Sequence, residues 1–166
     1  MKVLIVYSSK TGNTRKLAKA IHLALPEAHL CPVSYAPDPT GYDLVFMGCW
    51  IEQGTADEAA RSYMGRLKNQ PVALFATLGA YPDSRHAVES LDAASALLPT
   101  CQIIDRFICQ GAIDPELIEW MKQLPKDHGY GPTESRKKLW HDAEAHPDDA
   151  DLKAVSEWAL GVLSAV

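Results

Sequence analysis

Apolar positions along the chain fall into short unbroken runs separated by stretches of helical spacing. Lys2–Tyr7 is a continuous β-rich run, the pattern of a strand buried on both faces. From Gly12 to Leu25 the spacing turns helical, with Leu17, Ile21, Ala24 and Leu25 on one face and Arg15, Lys16 and Lys19 largely off it, and Pro26 ends it. A weak second strand is predicted over His29–Ser34, a turn over Ala36–Gly41, and a third, buried strand over Asp43–Gly48. Thr55 is expected to cap a helix running to about Leu67, with Asp57 and Glu58 in its first turn. Pro71–Thr77 reads as a fourth strand. Asp83 or Ser84 opens a helix to about Leu98, and Gln102–Cys109 reads as a fifth strand. Four alternations of strand and helix in the first 110 residues call for a parallel sheet with helices on both faces, joined by right-handed crossovers.

Beyond Gly111 the alternation stops. Asp114-Pro115-Glu116 starts a short helix to about Leu124, Pro125–Pro132 is a loop, and Thr133 caps a helix to about Glu144. His146–Asp149 reads as an acidic loop before a last helix, Asp151–Leu163, whose apolar face carries Leu152, Val155, Trp158 or Ala159, and Val162. Nothing marks a second domain, so residues 1–166 are taken as one domain in which 111–150 is an insertion.

Composition narrows the function classes. Lys and Arg number 16 against 21 Asp and Glu, and the net charge of −5 argues against wrapping nucleic acid. No run of 18 apolar residues is present, and the first apolar run is too short for a signal segment, so a cytoplasmic protein with no membrane association is expected. The four cysteines form no C-x-x-C pair and have no metal-ligand spacing to histidine. Cys31, Cys101 and Cys109 are expected as buried free thiols, and Cys49 in the loop after the third strand.

Ligands in open α/β sheets bind beyond the carboxyl ends of the strands. After the first strand comes Ser8-Ser9-Lys10-Thr11-Gly12-Asn13-Thr14, four hydroxyls in a turn that opens a helix. Outward-pointing N–H groups and a helix dipole there make a nest for a phosphate. The segment lacks G-x-x-x-x-G-K-[ST] and G-x-G-x-x-G, and it has serines where a receiver domain needs acids for Mg²⁺. A G-x-S-x-G elbow is also absent, which leaves hydrolase chemistry unsupported. The loops after strands three and four, Gly48–Thr55 and Thr77–Ser84, each supply an aromatic, Trp50 and Tyr81, and the two together could sandwich a planar ring.

Ser9-Lys10-Thr11-Gly12-Asn13-Thr14 resembles the [ST]-x-T-G-x-T phosphate loop of flavodoxins, and the Gly48-Cys49-Trp50 and Thr77–Tyr81 segments resemble their two flavin loops. The pattern is most similar to short flavodoxin-like proteins of anaerobic bacteria, some of them encoded beside bilirubin reductase. The resemblance covers residues 1 to about 110 and the final helix. It implies a three-layer sandwich with a five-stranded parallel sheet in order 2-1-3-4-5, and FMN as cofactor. It also implies an electron carrier for a redox partner protein, with tetrapyrrole reduction as the chemistry served, and a monomer is expected. Ser9, Lys10, Thr11, Gly12, Asn13 and Thr14 would hold the phosphate. Cys49, Trp50, Ile51, Thr77, Leu78, Gly79, Ala80 and Tyr81 would surround the ring, and Gly54 is the nearest match to the small residue whose peptide meets the flavin N5. Glu52 and Asp83 are the acids expected beside the ring. No catalytic residue and no metal ligand is assigned. The competing readings are an FMN-dependent NAD(P)H oxidoreductase acting on quinone-like acceptors, and a flavin-free interaction domain. Trp120, His128, Tyr130 and Trp140 in the insertion are candidates for exposed docking aromatics, with local packing over the sheet edge as the alternative.

Overall fold

The apolar runs form strands and the amphipathic stretches cover them, in a computed structural model that describes residues 1–166. In chain order the elements are β1 (Val3–Tyr7), α1 (Asn13–Ala24), β2 (His29–Pro32), β3 (Leu44–Glu52), β4 (Thr55–Ala56) and α2 (Glu58–Met64). Then follow β5 (Pro71–Leu78), α3 (Arg85–Ser95), β6 (Gln102–Gln110), α4 (Pro115–Lys122), α5 (Glu134–Ala143) and α6 (Asp149–Ser164). The five long strands are parallel in the order β2-β1-β3-β5-β6, the order expected for strands one to five, and β4 adds a two-residue antiparallel pairing at the end of β3. This is the flavodoxin-like three-layer sandwich.

The pleat divides the core in two. Leu4, Val6, Val45, Met47, Val72 and Leu74 point to one side and pack against Ala60 and Met64 of α2 and Leu91 and Ala94 of α3. Ile5, Phe46, Ala73 and Phe75 point to the other and meet Leu17 and Ile21 of α1 and Val155, Ala159 and Val162 of α6. Fully burying each such Leu, Ile, Val or Phe contributes about 1.5–3 kcal/mol. The Phe46 ring meets Trp158 of α6 edge-on at 5.7 Å, and the Trp158 indole donates to Asp105 of β6 at 3.0 Å, which anchors α6 on this face of the sheet.

β2 stops at Pro32, short of Ser34, and α2 and α3 end about three residues early, at Met64 and Ser95; three further differences bear on the site. The third strand does not stop at Gly48: Cys49, Trp50 and Ile51 continue β3 to Glu52, and they are strand residues, not a loop. Gly48 breaks nothing because the Phe75 ring fills the space of its missing side chain, and a Cβ there would lie 2.3 Å from Phe75 Cζ. Thr55 does not cap α2. It lies in β4, and Asp57 takes the cap, accepting from Ala60 N. The last helix begins earlier than Asp151. Asp148 caps it and Asp151 returns the bond to the Asp148 N–H, a reciprocal capping box. In the insertion, Asp114 and Thr133 cap α4 and α5 as expected.

Candidate functional site

The chain leaves β1 through Ser8, whose hydroxyl donates to Asp57 Oδ2 at 2.5 Å and whose N–H donates to Gly48 O at 3.0 Å. Ser9 then turns inward: its Oγ accepts from Gly12 N at 3.2 Å and from Arg15 N at 3.3 Å, folding the loop over the start of α1. Gly12 sits at φ +101°, a left-handed conformation that a side chain would strain. The N–H groups of Lys10, Thr11, Asn13 and Thr14 make no hydrogen bond within the chain, so this turn presents a row of unspent donors at a helix N-terminus. The Thr14 hydroxyl is buried against the Thr77 hydroxyl at 3.0 Å, which joins the loop to the end of β5.

Asp57, only 2% exposed, fixes the second strand end. Besides Ser8 and Ala60 it accepts from the Trp50 N–H at 3.2 Å, so one carboxylate ties the first turn, β3 and α2 together. Trp50 and Ile51 reach the open cavity, whereas Cys49 points into the core, where burial and then the Asp57 charge push its thiol far above the ordinary range. Gln53 (φ 49°) and Gly54 (φ 79°) both have left-handed backbones and form the two-residue hairpin turn to β4. Gly54 is therefore at a hairpin tip and outside the cavity lining. Glu52 Oε2 accepts from Glu58 N at 3.3 Å, turned to the start of α2.

Thr77, Leu78, Gly79 and Ala80 line the cavity from the end of β5. Gly79 has no room for a side chain, since a Cβ would lie 2.7 Å from Ile113 Cγ1, and its carbonyl accepts from Gln110 at 3.1 Å. Tyr81 is placed elsewhere: its hydroxyl donates to Asp142 of α5 at 2.7 Å, and it is not part of the cavity wall.

The cavity these strand ends open into measures about 790 Å³ and is lined by 23 residues, eleven of which lie between Gly111 and Trp140. The expected loops supply Ser9, Lys10, Thr11, Asn13, Thr14, Trp50, Ile51 and Thr77–Ala80, while Gly12, Cys49, Gly54 and Tyr81 fall outside the lining. The insertion closes the rest with Ile113, Leu117 and Met121 from α4 and its lead-in, Tyr130 from the loop, and Arg136, Leu139 and Trp140 from α5. Sequence reading missed most of these. The signal was present in their spacing, because Ile113, Leu117 and Met121 recur every four residues, and Arg136, Leu139 and Trp140 share one helix face. Of the candidate exposed aromatics, Trp140 is 6% exposed within this wall, Tyr130 lines the cavity while remaining 62% exposed, and Trp120 is 50% exposed outside it. The acid on the wall is Asp114, not Glu52 or Asp83.

Two contacts tie the insertion to the first loop. Asn13 Nδ2 donates to Ala112 O at 2.8 Å, and Lys10 Nζ lies 3.4 Å from Asp114 Oδ2 and 5.9 Å from the Trp50 ring centre. Lys10, in the variable slot of the motif, thus joins the first loop, the end of β3 and the insertion.

Comparison with known proteins agrees with this geometry. The family model for the flavodoxin domain matches residues 4–159. A flavodoxin-like domain-containing protein named BilS from Clostridioides difficile is 30% identical, covering 98% of this chain and 97% of its own. One of the same name from Clostridium symbiosum is 29% identical, covering 99% and 97%. Among solved structures, oxidised flavodoxin 1 from Bacillus cereus superposes with a TM-score of 0.65 at 12% identity, covering 100% and 99% of the two chains. A Lactobacillus acidophilus flavoprotein solved in complex with FMN superposes with a TM-score of 0.56 at 17% identity, covering 72% of this chain and 97% of that one. With strand order, phosphate-loop motif and family match in agreement, the chain belongs to the flavodoxin domain family.

Proposed function

We propose that this flavodoxin-domain protein binds FMN and carries low-potential electrons to a partner reductase, the chemistry served being reduction of a tetrapyrrole such as bilirubin. The observation that carries the reading is the row of unspent N–H donors at Lys10, Thr11, Asn13 and Thr14, facing a cavity large enough for a planar cofactor. The residues present fit FMN. The N–H row and the N-terminus of α1 suit a phosphate dianion, Trp50 and Ile51 offer one wall for a flat ring, and the backbone of Thr77–Ala80 offers polar groups for its edge. When bound, FMN supplies the redox chemistry, and the protein supplies binding, orientation and electrostatics.

The chain's own contributions follow from its contacts. Ser9 holds the loop in register through its two accepted hydrogen bonds. Thr14 and Thr77 lock the loop to β5. Asp57 fixes the Trp50 backbone. Helices α4 and α5 line the part of the cavity that the strand ends leave open. A carrier is favoured over an enzyme, in keeping with the family and with near full-length similarity to the two BilS proteins. The partner reductase would meet α4 at Trp120, which is 50% exposed and lies outside the cavity lining. No helix is long and apolar enough to cross a membrane.

Parallel equilibrium titrations of the protein with FMN and riboflavin test the reading. FMN should bind at least a hundredfold more tightly, because the phosphate gains two or more charge-assisted hydrogen bonds that riboflavin lacks. Equal affinities, or no flavin binding, would refute it.

A further inference from the structure

The wall of the cavity contributed by the insertion differs in character from the phosphate-loop side. Leu117, Met121, Leu139 and Trp140 make it apolar, and one cation, Arg136, faces the cavity among them. Arg136 is held by a loop built around it. Its guanidinium NH1 donates to His128 O at 3.3 Å and Gly131 O at 2.9 Å, which fixes one edge of the plane. The loop is tight at this point: Gly131 N donates to His128 O at 2.9 Å, and a Cβ on Gly131 would lie 2.0 Å from Pro125 O. Lys10, the other cation on the wall, is paired with Asp114, whereas no carboxylate lies within ion-pair distance of Arg136, and its Nε and second amino group have no acceptor in the chain. A guanidinium fixed on one edge, with donors left on the other, is suited to a planar anionic group.

We infer that the cavity holds a second small molecule beside FMN: a planar, conjugated organic acid whose carboxylate meets Arg136 and whose apolar body lies against Leu117, Met121, Leu139 and Trp140. The inference rests on the reading that FMN occupies the phosphate-loop side. Of the insertion's eleven lining residues Gly111–Asp114 adjoin the first loop, whereas the other seven, from Leu117 to Trp140, form a wall contributed by α4, α5 and the loop between them. Size and shape follow from the lining. The apolar stretch spans two helices and accepts a fused-ring body, while the single cation limits the ligand to one anchored anionic group.

The test uses the FMN-saturated protein, with naphthalene-2-carboxylate as probe and naphthalene-2-carboxamide as its uncharged analogue. Calorimetry follows probe binding while the visible spectrum reports whether FMN stays bound. The carboxylate should bind one per chain without displacing FMN, and at least tenfold more tightly than the carboxamide. In Arg136→Gln that preference should vanish, and Arg136→Lys should restore part of it. The carboxamide comparison in the unaltered protein keeps the test decisive even where a substitution disturbs the loop. Absence of probe binding, displacement of FMN by the probe, or equal binding of acid and amide to the unaltered protein would overturn the inference. Failure to take up FMN shows in the spectrum before probe is added, and it would overturn both this inference and the cofactor reading.

Discussion

The Tyr81 hydroxyl donates to the Asp142 carboxylate at 2.7 Å, joining the loop after β5 to a helix 61 residues further along the chain. The contact takes Tyr81 off the cavity and leaves the place of a second aromatic wall to the insertion. The hydrogen bond to Asp142 raises the Tyr81 pKa. The Lys138 ammonium first, and Tyr81 second, lower that of Asp142. Asp142 thus supports the attachment above the ordinary carboxylate range, and that support fades as pH falls through its lowered value. Tyr81 supports it below pH 10.0, its ordinary value, and the support is lost as pH rises through the raised one. In alkaline titration followed by tyrosinate absorbance, Asp142→Asn should shift one tyrosine to lower pH, and superimposable curves would remove the tether.

Asp57 is the buried hub of the strand ends, accepting from Ser8, Trp50 and Ala60. Asp57→Ala leaves α2 without its cap and the Ser8 hydroxyl without its acceptor. It should cost about 2–4 kcal/mol in urea unfolding. A cost below about 0.5 kcal/mol, the range of ordinary surface substitutions, would contradict this role.

Gly12 has open space around it but a backbone at φ +101°. Gly12→Ala should therefore strain the loop without a clash, by about 1 kcal/mol, and weaken FMN roughly fivefold. Riboflavin titrated in parallel should be unaffected, because it has no phosphate to place.

Much of this was legible in the sequence, and the limits have physical causes. The runs at Leu4-Ile5-Val6 and Leu44–Met47 announced parallel strands because both faces of such strands are buried. Gly48 misled as a strand end, since only the Phe75 ring from β5 shows that it belongs inside one. Thr55 was a sound cap by residue type, but the Gln53-Gly54 hairpin had already taken it into β4. The motif at Ser9–Thr14 showed itself locally because a turn that opens a helix is built from neighbours in the chain. Tyr81 did not, because its direction is set by Asp142 on a distant helix, and the insertion's share of the cavity likewise depends on tertiary docking.

The four thiols differ in reach. Burial raises Cys31 and, with Asp151 and Asp148 behind it, pushes Cys109 far above the ordinary range, as burial and Asp57 do Cys49, whereas Cys101, expected to be buried, is partly exposed. An aromatic disulfide reagent at pH 8 should label Cys101 first, and Cys49 and Cys109 only when urea unfolds the chain. Early labelling of Cys49 would place its thiol in the cavity instead of the core.

The carrier reading meets its most direct test in the visible spectrum of the FMN-loaded protein, recorded without oxygen as NADPH and then dithionite are added. A carrier that receives its electrons from another protein should stay oxidised with NADPH alone and bleach in resolved one-electron steps with dithionite. Rapid bleaching by NADPH alone would contradict it and identify an NAD(P)H oxidoreductase.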